Sequence, residues 1–285
     1  MAKVAVVIPT YKEELNELEK ISLAQCRKVL GKYPLIFVAP EGKNFSYFAQ
    51  GNGVAHFPPQ FFQSTKTYNF LMTAPNFYAM FKDFEYILIY HLDAFVFYDA
   101  LEEFCSLGYD YIGAPWPQIY RDNVKPKENF SRVGNGGFSL RKVEAHYKLL
   151  TEHKNLVEQW NAKQLPEDVF FSHCGKRNDC DFNVAPIKVA YSFSAEFNPE
   201  RVVKKNNGKL PFGCHSWYRQ HQNFYIDTLL NFGYDLRPLQ NMLTLYDGGL
   251  RGWLLNLSIQ RINRRLQRGQ GIRCYLPEKN FHLSE

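Results

Sequence analysis

Several absences narrow the class of this sequence before any positive feature is weighed. Its six cysteines (Cys26, Cys105, Cys174, Cys180, Cys214 and Cys274) include no CxxC pair, so a zinc ribbon is not expected. No stretch approaches the roughly 18 apolar residues that a membrane span needs. The first apolar run, Val4 to Ile8, gives way at once to polar residues and is too short for the core of a secretory signal. A reduced, cytoplasmic protein is the expectation that follows. The dinucleotide fingerprint GxGxxG is missing, and so is a phosphate loop closing on Gly-Lys-Ser/Thr. No internal repeat or low-complexity linker marks a domain boundary. Acidic residues are absent between Gly248 and Pro277, where six arginines lie: Arg251, Arg261, Arg264, Arg265, Arg268 and Arg273. Those arginines account for the whole excess of 34 basic over 28 acidic side chains.

What is present is enough for a large core. Hydrophobic residues make up 45% and charged residues 22%, which excludes a disordered chain. Aromatic residues reach 16%, and a Phe-rich core explains them better than a ring-stacking surface does. Val4-Ala5-Val6-Val7-Ile8 and Leu35-Ile36-Phe37-Val38 read as strands buried on both faces. The apolar spacing between Glu13 and Leu30 predicts a helix between them. A β-α-β opening of this kind predicts a three-layer α/β/α fold with a mainly parallel sheet. Ligands of such sheets bind beyond the carboxyl ends of the strands. A helix over Tyr68 to Phe81, a buried strand over Tyr86 to Tyr90 and a strand at Tyr109 to Gly113 are expected next. Residues 1–247 read as one catalytic domain and residues 248–285 as a basic C-terminal extension.

Four constellations can carry chemistry. Asp93 follows the strand Tyr86 to Tyr90, where a lone carboxylate is costly to desolvate unless it is paired or bound to a cation. His91, two residues earlier, falls on the same face if the strand continues. Gly134-Asn135-Gly136-Gly137 lets the backbone approach a ligand, although a plain turn explains such a cluster more simply when it is taken alone. Glu167-Asp168 after Pro166 suits a helix N-terminus, and it also suits a carboxylate that deprotonates an acceptor hydroxyl. His215, in Pro211-Phe212-Gly213-Cys214-His215-Ser216-Trp217, is either a metal or phosphate ligand or a hydrogen-bonded structural imidazole.

The order of these elements resembles the GT-A glycosyltransferases, and most of all a bacterial branch with the blocks seen here at residues 91–97, 109–116, 134–141, 167–171 and 211–217. The resemblance spans about residues 3–220. It implies a GT-A (Rossmann-like) fold and transfer of a sugar from a nucleotide-sugar, by default a UDP-sugar, to a glycan or lipid-linked glycan hydroxyl. Surface polysaccharide or lipopolysaccharide synthesis, with inversion, would be the setting. It places Pro9, Thr10 and Tyr11 around the nucleotide, Glu41 at the base or ribose and Lys66 near phosphate. Gly136, Gly137 and Phe138 fall beside the donor sugar. Asp168 takes the base position, with Glu167 as the alternative. The Asp-x-Asp motif of the family keeps one acid here: with Asp93 first, Phe95 takes the second place, and in the preferred alignment Asp93 is last and His91 takes the first. His215 completes the metal site, with Mn²⁺ or Mg²⁺ as the implied cofactor. The incomplete motif keeps open a second reading, a nucleotide-sugar-binding protein without transferase activity.

The tail permits a third. Its arginines could bind nucleic acid, but they alternate with Trp253, Leu255, Ile259, Ile262 and Leu266 at helical spacing. Nucleic acid is therefore not the expected partner. Residues 250–273 fit either a helix lying on an anionic membrane surface, at the inner face of the membrane, or one docked on the catalytic domain.

Overall fold

A computed structural model of the protein describes residues 3–48, 53–117, 130–219 and 221–234. The boundary expected at 247, the extension over 248–285 and the amphipathic stretch at 250–273 lie outside the described residues. No described helix is long and apolar enough to cross a membrane.

The opening unit is β1 (Val4–Pro9), α1 (Glu17–Leu30) and β2 (Leu35–Pro40). Helix α1 begins four residues later than the apolar spacing alone predicts. Asn16 caps it by accepting from the Glu19 amide, and Glu19 reaches back to the Asn16 amide. This reciprocal cap satisfies amides that would otherwise lack partners, and so sets where the helix starts. Strand β3 (Gly53–Phe57) then adds to the edge beyond β2.

The single helix expected over Tyr68 to Phe81 is instead two, α2 (Thr65–Met72) and α3 (Pro75–Ala79). Pro75 has no N–H to donate and stands at the first turn of α3, so the helix breaks before it. Strand β4 (Tyr86–Tyr90) follows, fully buried. Short elements come next: β5 (Phe95–Val96), α4 (Leu101–Ser106), β6 (Tyr111–Ile112), β7 (Ala114–Pro115) and β8 (Val133–Gly134). Strand β9 (Phe138–Lys142) precedes α5 (Val143–Glu152), α6 (Lys154–Ala162) and α7 (Glu167–Cys174). The described chain closes with α8 (Ile187–Phe193), β10 (Ser194–Ala195), α9 (Pro199–Lys205), β11 (Gly213–Cys214) and α10 (Gln222–Asn231).

The main sheet has the order β3-β2-β1-β4-β9-β6. Its first four strands are parallel, and β9 runs antiparallel to both β4 and β6. Alternation along each strand divides the core. Val4, Val6 and Ile8 of β1 face α1 and α4 through Leu23, Cys26, Leu30, Leu101 and Phe104. Val7, Ile87 and Ile89 face the opposite layer through Leu71, Phe77, Leu149, Trp160 and Phe171. The architecture is therefore a three-layer α/β/α sandwich with a mainly parallel sheet, as the opening pattern predicts.

The strand order places the site. From β1 the chain passes to β2 and β3 on one side, then returns to β4 on the other side of β1. A crevice opens at the carboxyl ends where the order reverses, here between β1 and β4.

Candidate active site

A cavity of about 500 Å³ lies at that crevice. Pro9, Thr10, Tyr11 and Lys12 line it from the end of β1, and His91, Leu92 and Asp93 from the end of β4. Ser64, Thr65 and Tyr68 come from the start of α2, and His215, Ser216, Tyr218 and Arg219 from beyond β11.

His91 and Asp93 do not continue the strand. They sit in a tight turn that the Ala94 amide closes by donating to the His91 carbonyl (2.9 Å). Both side chains nevertheless reach the cavity. Asp93 is buried, and His215 and Arg219 compensate its charge. His215 Nε2 stands 3.1 Å from Asp93 Oδ1, and Arg219 Nε donates to Oδ2 at 2.9 Å.

His215 arrives from far along the chain through two short pairings. Cys214 of β11 pairs with Phe95 of β5, and Ala195 of β10 pairs with Cys214. Both contacts are continued past the strand ends. The His215 amide donates to the Ala195 carbonyl (2.9 Å), and the Trp217 amide to the Asp93 carbonyl (3.2 Å). Glu196, next after Ala195, is thereby set against His215, with Oε1 3.2 Å from Nδ1.

These neighbours shift the titration of all three groups. Burial would raise the Asp93 pKa, but the His215 charge and its contact, with His91 and Arg219, hold the carboxyl well below the usual carboxylate range. Burial would lower the His215 pKa, yet Asp93 and then Glu196 push it up to about 10. His91 is pulled down to about 3, first by burial and then by the His215 charge, so it is a neutral imidazole. Its Nε2 lies 2.9 Å from the Tyr68 hydroxyl.

The three residues fit a divalent cation. One ligand atom from each of His91, Asp93 and His215 lies within 4.8 Å of the others. His215 Nε2 is buried and, despite its closeness to Asp93, is not aligned with any hydrogen-bond partner. Two donors bound at right angles to one ion, each about 2.1 Å away, stand about 3 Å apart. The Asp93–His215 pair already has that spacing. Two imidazoles and one carboxylate suit Mn²⁺ better than Mg²⁺, which prefers an all-oxygen shell.

The Asn135–Gly137 turn joins β8 to β9 and forms the wall behind this cluster. Asn135 takes a positive φ of 81°, and its Oδ1 accepts from the Gly137 amide (3.0 Å). Gly137 is needed for space, since a Cβ there would lie 2.1 Å from His215 Nε2. Gly137→Ala should therefore displace the imidazole and weaken Mn²⁺ binding at least about tenfold, as measured by titration calorimetry. Gly136 has a similar constraint, because a Cβ would lie 2.0 Å from Glu167 Oε1.

The two acids of α7 separate. Glu167 is buried and pairs with Arg141 (3.0 Å). Arg141 is itself fully buried on β9 and also donates to the Tyr78 hydroxyl, Ser139 Oγ and the Gly136 carbonyl. Arg141→Met should destabilise the protein by about 3 kcal/mol in a denaturant titration, because it leaves the Glu167 charge buried and unpaired. Asp168 is partly buried, with Oδ2 accepting from the Asn135 amide (3.0 Å) and Oδ1 from the Val169 amide (2.9 Å). Burial, then the charges of Glu167 and Glu196, raise its pKa to about 7.

The residues predicted from sequence thus fall into two groups. Pro9, Thr10, Tyr11, His91, Asp93 and His215 meet at the cavity. Gly136, Gly137, Glu167 and Asp168 form the turn and helix end behind His215 and do not line it. Glu41 and Lys66 are exposed outside its lining. The donor contact expected at Phe138 needs correction, because its ring is in the core against Phe193 and Phe212. A buried arginine within an apolar strand was the available sign for Arg141. Glu196 and Arg219 carry no local signal, and only strand pairing brings them in.

Residues 52–215 match the family described as "Protein of unknown function (DUF5672)". The chain belongs to the DUF5672 family. The matched span of this DUF5672 protein runs from just before β3 to His215, so it contains His91, Asp93, Asp168 and Glu196. No curated protein matches the sequence. Three solved structures are similar in overall shape. Mouse xyloside xylosyltransferase 1 in its apo form has a TM-score of 0.42 at 16% identity, covering 74% of this chain and 96% of its own. Core-mannan synthase A (CmsA/Ktr4) from Aspergillus fumigatus, in an Mn/GDP form, has a TM-score of 0.48 at 12% identity, covering 66% and 73%. Galactosyltransferase LgtC, with donor and acceptor sugar analogs, has a TM-score of 0.49 at 12% identity, covering 74% and 86%.

Proposed function

We propose that this protein is a metal-assisted glycosyltransferase of the GT-A type, moving a sugar from a nucleotide-sugar to an acceptor hydroxyl. The observation that carries the reading is the His91–Asp93–His215 cluster at the floor of the β1/β4 crevice. A nucleoside diphosphate needs a cavity of about this size, a cation site and positive charge on the wall. Arg219 and Lys12 supply that wall charge, with Arg219 bound to Asp93 and Lys12 paired with Glu19. Exposed Tyr11 offers a ring at the cavity rim.

The residues divide the work as follows. His91, Asp93 and His215 would hold a divalent cation such as Mn²⁺, which would supply positive charge against the departing diphosphate. Pro9, Thr10 and Tyr11 hold the nucleotide, and Arg219 stabilises developing negative charge. The sugar would extend beyond the cavity lining toward the Gly136–Gly137 turn behind His215. Asp168 takes the proton of the attacking hydroxyl. It suits that role better than Glu167, because the Glu167 carboxylate is held by Arg141 while Asp168 titrates near neutrality. Direct attack by the acceptor, with inversion, follows from a base of this kind. Glu41 and Lys66 reach the donor only through movement of exposed side chains. Sugar transfer to a surface glycan or a lipid-linked glycan in the cytoplasm is the setting we favour, with residues 250–273 as a contact to an anionic membrane face.

The test is a thermal-shift panel of nucleotide-sugars with and without Mn²⁺, followed by assay of released nucleoside diphosphate. Specific binding stabilises the fold by an amount that grows with ligand concentration over Kd. One nucleotide-sugar should raise the melting temperature only with Mn²⁺ and should then be consumed. A panel with no metal-dependent shift would sink the reading. A shift without any turnover against a range of acceptors or water would favour a binding protein, which the single acid of the motif leaves in play.

A further inference from the structure

His215 is held from two sides, and the second side has chemistry of its own. Its Nε2 faces Asp93, and its Nδ1 faces Glu196 Oε1 at 3.2 Å. The His215 and Glu196 side chains are 14% and 13% exposed. The placement is built into the backbone. Ala195 pairs with Cys214, so the next residue of each strand, Glu196 and His215, leaves the ladder side by side. The His215 amide bond to Ala195 locks that register. Ser216, with a positive φ of 58°, turns the chain straight after His215, and its hydroxyl lies 3.4 Å from Nδ1.

An imidazole that binds a cation through one nitrogen must keep its proton on the other. A carboxylate at that second nitrogen selects the tautomer, orients the ring and raises the basicity of the ligating atom. Nε2 here has no aligned hydrogen-bond partner, and the missing side chain of Gly137 leaves it room. Removal of the carboxylate would leave Nδ1 without its charged acceptor and the ring free to turn.

We propose that Glu196 is a positioning residue that holds His215 as the Nδ1–H tautomer, so that the Nε2 lone pair is presented to a divalent cation shared with Asp93 and His91. This rests on the metal-assisted reading above and goes beyond it by assigning a role to a residue that touches neither the cavity nor the cation.

The experiment is titration calorimetry of Mn²⁺ into the full-length chain, beside the melting temperature with and without Mn²⁺. Glu196→Ala should weaken Mn²⁺ binding ten- to a hundredfold. Glu196→Gln keeps an acceptor oxygen without the charge and should fall between that variant and the unaltered protein. Gln is nearly isosteric, so it also covers the case in which the alanine variant does not fold. Metal-free melting should change little in either, whereas the Mn²⁺-induced rise should shrink in the order Glu, Gln, Ala. Both variants binding Mn²⁺ as tightly as the unaltered protein would overturn the proposal while leaving the metal site standing. Failure of the unaltered protein to bind Mn²⁺ would overturn the metal-assisted reading itself.

Discussion

Asp93→Asn is expected to abolish Mn²⁺-dependent sugar transfer, with a loss of at least three orders of magnitude in kcat/KM, or about 4 kcal/mol of transition-state stabilisation. Asparagine keeps the volume and one oxygen but removes the only negative charge among the three ligating groups. The Mn²⁺-induced rise in melting temperature should vanish with it. The fold should survive. Asp93 is the largest favourable influence on the His215 proton, so the mutant His215 gives up its proton more readily, and while charged it keeps Glu196 as a partner. Arg219 is about half exposed and returns to solvent. The sign of the linkage can be checked in the unaltered protein. The Asp93 pKa is depressed on folding, so its contribution to stability is present at neutral pH and lost as pH falls through the acid range. His215 is raised to about 10, so its contribution is full below its ordinary value near 6.5 and fades as pH rises through 10. In melting curves taken from about pH 2 to 10, metal-free Asp93→Asn should lack the acid limb and show a smaller alkaline one, because Glu196 still faces His215. Transfer by the mutant at the unaltered rate would remove Asp93 from the mechanism.

Asp168→Asn should reduce kcat by two to four orders of magnitude while donor affinity stays within about twofold. Such a split separates a proton acceptor from a residue that merely shapes the donor site. The unaltered enzyme should show the matching pH dependence. Only ionised Asp168 accepts a proton, and its pKa is raised to about 7, so kcat should climb about tenfold per pH unit below 7 and level off above. The mutant should lose that limb. A parallel fall in kcat and donor affinity, with the pH profile unmoved, would assign Asp168 to structure, as a carboxylate that closes the ends of the Asn135 and Val169 amides.

Local chemistry carried much of this into view. Strands β1, β2 and β4 are readable because strands covered on both faces must be apolar at nearly every position. The break at Pro75 and the start at Asn16 were misplaced, although both follow from backbone hydrogen bonds made or refused within a few residues. Apolar spacing alone missed them because it records which face is buried and says nothing of where the ladder of amides ends. Asp93 stood out because burying a carboxylate at a strand end demands a partner; composition and spacing did not name that partner, and only the family resemblance pointed to His215.

The partners belong to the tertiary structure. Asp93 and His215 are brought together by a two-residue ladder between β5 and β11, and Glu196 by another between β10 and β11. Ladders that short leave almost no periodic trace in a sequence. Glu167 and Asp168 read as equivalent acids at one helix start. They diverge because buried Arg141 on β9 captures one, while burial and then two neighbouring carboxylates raise the pKa of the other. Two glycines that read as a plain turn prove to be required by the side chains packed on them, Glu167 at Gly136 and His215 at Gly137. By itself, then, the sequence determined the layered α/β frame, the strand ends that line the crevice and a carboxylate, Asp93, that needed a cation or a counter-charge. Which side chains answer that need was decided only in the folded chain, because electrostatic partnership depends on distance in space, and distance along the chain does not encode it.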